Sequence, residues 1–80
     1  MNADEIKNII AAGLRCEHIE LTGDGQHWYA IIVSSEFEGL RSIARHQRVY
    51  ATLGGKVDSG EVHALSMQTY TPTEWAALQA

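Results

Sequence analysis

Residues Glu61 to Pro72 read EVHALSMQTYTP. As a strand, the run from Val62 to Tyr70 puts Val62, Ala64, Ser66 and Gln68 on one face, with His63, Leu65, Met67 and Thr69 on the other. A helix starts directly after it: Thr71 stands as N-cap, Pro72 takes the first helical position, and Glu74 sits where a capping box closes. The segment upstream of the strand decides the fold. LRSIARHQRVYATL, residues 40–53, can line Leu40, Ile43, Ala44, Val49, Tyr50 and Leu53 along one side of a helix that Gly54 and Gly55 stop. A strand–helix–strand connection is nearly always a right-handed crossover, so the strand at 62–70 is expected parallel to an earlier one.

That earlier strand belongs to a hairpin. HIEL at 18–21 alternates, TGDG at 22–25 is a turn, and HWYAIIVSS at 27–35 is rich in aromatic and β-branched residues and reads as partly buried on both faces. Upstream, Ile6, Ile9, Ile10 and Leu14 recur at helical spacing behind Asn2, a candidate N-cap, with Asp4 and Glu5 in the first turn. This helix is expected to end near Gly13. KVDSGE at 56–61 reads as a turn or a short helical piece. The expected class is α/β: a mixed three-stranded sheet covered by helices, in the order α-β-β-α-β-α, forming one domain over residues 1–80.

Ten acidic residues against six basic ones give a formal charge of −4, which disfavours non-specific attraction to nucleic acid or to an anionic membrane. Cys16 is the single cysteine, and the N-terminus lacks the pattern of a secretory signal, so a cytoplasmic location is expected. The longest apolar run, WYAIIV, is strand-sized and far short of the roughly 20 residues that span a bilayer.

Four histidines and one cysteine invite a search for a metal site. None stands at a zinc-finger or H-E-x-x-H spacing, and one thiolate cannot hold an iron–sulfur cluster, so any cluster bound here has to be shared with a partner. Cys16 and His18 do not make a convincing nucleophile–base pair, since alternate strand positions lie about 6.5 Å apart. The plainer reading of Cys16 is a half-buried inert thiol. No hydrolase, P-loop or dinucleotide motif is present, and the chain is read as non-enzymatic. Arg41, Arg45 and Arg48 recur four and three apart on the crossover helix, with Lys56 beyond. They are expected on one exposed face, either a phosphate-contacting stripe or simply a solvated surface, and His46 reads as a surface or packing residue.

The segments SSEFEGLRSIARHQRVYATL and EVHALSMQTYTPTEW together resemble the BolA family, in its short YrbA/IbaG-like branch, and the resemblance extends from Ile19 to Trp75. It implies a class II KH-like fold and a partner, a monothiol glutaredoxin of the CGFS type, with which such proteins share a [2Fe-2S] cluster. In that arrangement the glutaredoxin and glutathione each give a thiolate, and the BolA-type protein gives the histidine of its VHAL strand, which matches His63. The second ligand of the family lies in the loop between the first two strands. Here His27 is the nearest candidate, with His18 and Cys16 as alternatives. An imidazole in place of a thiolate lowers the negative charge around the cluster and raises its potential.

The resemblance implies a runner-up as well, a DNA-binding transcriptional regulator using Arg41, Arg45, Arg48 and Lys56. The G-x-x-G loop of true KH domains is missing from EGLRS, and a footprint of three or four phosphates binds weakly and with strong salt dependence. The isolated chain is expected as a monomer or weak homodimer.

Overall fold

The computed structural model describes residues 2–56 and 64–80. Helix α1, Ala3–Gly13, opens on a full capping box: Asn2 Oδ1 accepts from the Glu5 N–H at 2.9 Å and the Asn2 N–H donates back to Glu5 Oε1 at 3.2 Å. Its buried stripe is Ile6 and Ile10, and Leu14 follows into the core as C-cap.

Strands β1, His18–Gly23, and β2, Trp28–Val33, pair antiparallel from His18↔Val33 to Gly23↔Trp28. After β2, the buried Ser34 caps a single 3₁₀ turn, Ser35–Phe37. Its hydroxyl donates to the Arg15 carbonyl and accepts from the Glu36 N–H, and Phe37 enters the core with no exposed surface. Helix α2, Ser42–Thr52, then crosses over, a second 3₁₀ turn spans Gly54–Lys56, and β3, Leu65–Tyr70, pairs parallel to β2 from Trp28↔Leu65 to Val33↔Tyr70. The sheet order β1-β2-β3 makes β2 central, flanked by its hairpin partner and by the parallel strand that the crossover delivers. Helix α3, Pro72–Gln79, starts on the expected Thr71–Glu74 box.

Period-two alternation divides the sheet into two faces. Toward α1 and α2 point Ile19 and Leu21, then Trp28, Ala30 and Ile32, then Leu65 and Met67. With Ile6, Ile10, Leu14, Phe37, Val49 and Leu53 these make the core. The opposite face carries three rows set by the register: His18, Val33 and Tyr70; Glu20, Ile31 and Gln68; Thr22, Tyr29 and Ser66. Trp75 of α3 covers only the first row, stacking on His18 at 5.1 Å between ring centroids and tilting against Tyr70 at 5.6 Å. The other two rows stay open.

The apolar side expected for α2 is narrower in the structure. Val49 and Leu53 are buried, but Ile43 is 71 % exposed and Tyr50 lies partly in solvent. At 100° per residue Ile43 falls about 120° round the helix from Val49, outside its buried stripe, whereas Arg45, four residues before Val49, lies only about 40° away and shares the buried side.

Candidate functional site

Two loop residues position His27. Gly25 takes a φ of 94°, a left-handed conformation that glycine adopts without strain, and Asp24 closes the turn with its side chain. Asp24 Oδ1 accepts the N–H groups of Gln26 and His27, both at 2.9 Å, and those bonds hold its carboxyl below the usual carboxylate range. His27 therefore stands exposed at the tip of the β1–β2 hairpin, its imidazole without a hydrogen-bond partner among the described residues.

Next in the chain, Trp28 ties this tip to β3: its backbone N–H donates to the Ala64 carbonyl at 2.9 Å. Its ring lies over Gly23, where a methyl group would come within 2.4 Å of the indole and 2.3 Å of the His27 carbonyl. The indole N–H is buried and finds no acceptor among the described residues. His63, the expected strand ligand, lies outside the described residues, as do Glu61 and Val62. In sequence it immediately precedes Ala64.

The alternatives to His27 sit elsewhere. His18 is at the far end of the six-residue β1, roughly 17–20 Å along the strand. Its ring is already engaged, by Glu20 Oε2 at 2.6 Å and by the Trp75 stack. Cys16 is half-buried, donates to the Leu14 carbonyl at 3.3 Å, and has its thiol pKa pushed up by burial and then by the nearby Glu17 and Glu36 carboxylates. Such a thiol is a poor thiolate donor. Among the described residues no three of His, Cys, Asp and Glu converge as a metal site.

The three arginines of the crossover helix do not share one exposed face. Of the three only Arg41, the uncapped residue before α2, projects freely into solvent. Arg45 is folded inward, its side chain 13 % exposed: Nε donates to the Leu40 carbonyl at 2.8 Å, Nη1 to the Thr69 carbonyl at 3.2 Å, and the guanidinium lies 5.9 Å from the Phe37 ring centroid. Both terminal nitrogens also meet the Glu74 carboxylate. Arg48 pairs with Glu36. Of Lys56, only its place at the end of the second 3₁₀ turn is described.

One feature of the surface escaped the sequence. The open sheet rows form a shallow concavity of about 350 Å³ lined by Glu20, Thr22, Tyr29, Ile31, Ser66 and Gln68, with Tyr29 56 % exposed. Its signal was the aromatic pair Trp28–Tyr29, which alternation has to send to opposite faces.

Comparison with known proteins is consistent across this whole framework. The family profile described as "BolA-like protein" matches residues 5–74. The chain is 33% identical over 76 residues to the acid stress protein IbaG of Escherichia coli K12, covering 95% of this chain and 90% of that one. It is 42% identical over 57 residues to the DNA-binding transcriptional regulator BolA of the same organism, covering 71% of this chain and 53% of that protein. Among solved structures, a bolA protein homologue from Coxiella burnetii superposes with a TM-score of 0.79 at 39% identity, covering 95% of this chain and 97% of the other.

Proposed function

The chain belongs to the BolA-like protein family, in its IbaG-like branch, and from that premise we propose that it is a non-enzymatic iron–sulfur adaptor. It docks on a monothiol glutaredoxin of the CGFS type and shares a [2Fe-2S] cluster with it, in cluster trafficking, maturation or iron sensing. The observation that carries this reading is the backbone bond from Trp28 N–H to Ala64 O. His27 precedes the first of those residues in sequence and His63 precedes the second. An imidazole in an exposed loop, free of other bonds among the described residues, is a competent ligand for a borderline metal.

The donor set fits a shared site. His27 and His63 would supply two nitrogens, and the remaining ligands would be thiolates from the glutaredoxin and from glutathione. When bound, a mixed nitrogen–sulfur cluster has a higher reduction potential than an all-thiolate one. This chain's part is to present the imidazoles. Asp24 fixes the loop backbone and the buried Trp28 anchors its base against Gly23.

The test is a titration of [2Fe-2S]-loaded monothiol glutaredoxin and glutathione, followed by visible absorption and circular dichroism. The wild-type chain is expected to give a saturable spectral change that His63→Ala and His27→Ala each fail to reproduce. A spectrum indistinguishable from wild type with His63→Ala removes that residue as a ligand, and the same result with His27→Ala removes the loop histidine.

The DNA-binding reading is supported by the names of relatives such as the Escherichia coli regulator. Arg45 and Arg48 are engaged with Glu74 and Glu36, so the direct test of this reading is Arg41→Glu, which leaves both pairs in place. Duplex binding whose salt dependence is unchanged in this variant removes the α2 start as the contact.

A further inference from the structure

The two edges of the sheet are treated differently. Trp28 N–H bonds to Ala64 O and Ser34 N–H to Tyr70 O, so the even-numbered residues of β2 face β3 and its odd-numbered residues face β1. By the same alternation, Leu65, Met67 and Thr69 turn their backbone groups to the outer edge of β3. Side chains of α2 cap that edge: the Tyr50 hydroxyl donates to Leu65 O at 3.3 Å and Arg45 Nη1 to Thr69 O at 3.2 Å.

On β1, the register Thr22↔Tyr29, Glu20↔Ile31 and His18↔Val33 uses the backbone groups of the even residues and turns those of Ile19, Leu21 and Gly23 outward. No backbone bond outside the regular elements reaches these three among the described residues. The strand also carries no lysine and no proline, two of the common guards of an edge. Ile19 and Leu21 are half-buried apolar residues at the margin of the core, on the side where α1 packs. On the other face Glu20 is half-exposed, with one carboxylate oxygen on His18 at 2.6 Å and the other without a hydrogen-bond partner among the described residues, and the open concavity beside it is lined by no lysine or arginine.

We propose that the outer edge of β1 is a docking site for an extended segment of a partner protein that alternates apolar and basic residues. Added as a fourth strand, the segment takes the outward N–H and C=O groups of Ile19, Leu21 and Gly23. Its apolar side chains extend the core past Ile19 and Leu21, and its cationic ones meet Glu20. Charge selects this occupant over a second copy, because a copy brings another −4 to a chain of the same charge, and its own β1 offers no lysine or arginine to meet Glu20. The site requires no cluster and no histidine, so its fate is independent of cluster ligation by His27 and His63.

The experiment is a titration of the ¹⁵N-labelled full chain with two synthetic peptides, acetyl-Val-Lys-Val-Arg-Val-amide and the same peptide with glutamate at both basic positions. Saturable shifts and at least tenfold slower amide exchange are expected at Ile19, Leu21 and Gly23 with the basic peptide and not with the acidic one. Glu20→Lys, a surface change that leaves the core intact, is expected to weaken the basic peptide at least tenfold. The proposal is overturned by the absence of saturable change at millimolar basic peptide, by equal response to both peptides, or by unaltered binding in Glu20→Lys. It is also overturned if those three amides are already protected in the free chain and lose protection on dilution, since a second copy then holds the edge.

Discussion

The Arg45 guanidinium grips the Glu74 carboxylate with two hydrogen bonds, of 2.7 and 3.3 Å, and so fastens the first turn of α3 to α2. The same guanidinium satisfies the Leu40 and Thr69 carbonyls, which joins the loop before α2, the edge of β3 and α3 through one side chain. Arg45→Ala strips all four bonds and is expected to cost on the order of 2–3 kcal/mol. Urea denaturation reads this as a midpoint lower by about 2 M for a slope near 1 kcal/mol/M. Arg48→Ala, which removes only the half-exposed pair with Glu36, is expected to cost less than about 1 kcal/mol. Equal losses in the two variants refute the special position of Arg45.

Acid has a defined target in this clamp. Hydrogen bonding from Arg45, reinforced by the Thr71 N–H, lowers the Glu74 pKa from 4.5 to about 2. A folded-state value below the unfolded one means the contribution is complete above pH 4.5 and is lost as pH falls toward 2. Glu36, bonded by the Arg15 N–H and by Arg48, and Glu17, bonded by Ser35, are lowered too and act in the same direction. Urea midpoints measured between about pH 7 and about pH 2 should therefore decline below about pH 4.5, and Glu74→Gln should flatten that decline. A Glu74→Gln profile parallel to wild type shows that other carboxylates carry it.

Gly23→Ala probes the hairpin. The added methyl meets the His27 carbonyl and the Trp28 ring at distances no real contact adopts, so the loop base has to move. The expected cost is about 1–3 kcal/mol, with a shift in tryptophan emission as the indole is displaced from its buried seat. If His27 is a ligand, the spectral response to loaded glutaredoxin weakens in this variant as well, although no histidine has been touched.

Phe37→Ala removes a fully buried ring that also supports Arg45. A loss of about 3–5 kcal/mol is expected, a large share of the stability of a domain this size. Thermal melting monitored by circular dichroism should show the transition displaced far below wild type. A change of only a few degrees contradicts the packing described for this residue.

The elements were legible because each carried local chemistry: the Asn2 and Thr71 boxes, the TGDG turn, and the glycines after α2. The parallel placement of β3 came from connection geometry alone. What escaped was tertiary. Arg45 is indistinguishable from Arg41 by spacing, and only the arrival of Glu74 and the Thr69 carbonyl from the far end of the chain turns it inward. Ile43 looked like a core residue because it is apolar, yet it falls outside the buried stripe set by Val49 and Leu53 and is left to solvent. The same is true of the candidate histidines: the exposure of His27 follows from its place beside the turn, while the commitment of His18 to Trp75 depends on a helix that the sequence of β1 does not mention.

The parallel pairing of β2 with β3 also sets the order in which the molecule can assemble. The β1–β2 hairpin closes over a short loop, but every pairing from Trp28↔Leu65 to Val33↔Tyr70 waits for the whole crossover to be traversed. Contacts so distant along the chain slow folding relative to a helical protein of equal size. During synthesis the inner edge of β2, apolar and unpaired, stays open until Tyr70 has left the ribosome. The nascent chain is most exposed to mispairing in that interval, when its most hydrophobic strand is complete and its natural neighbour is not.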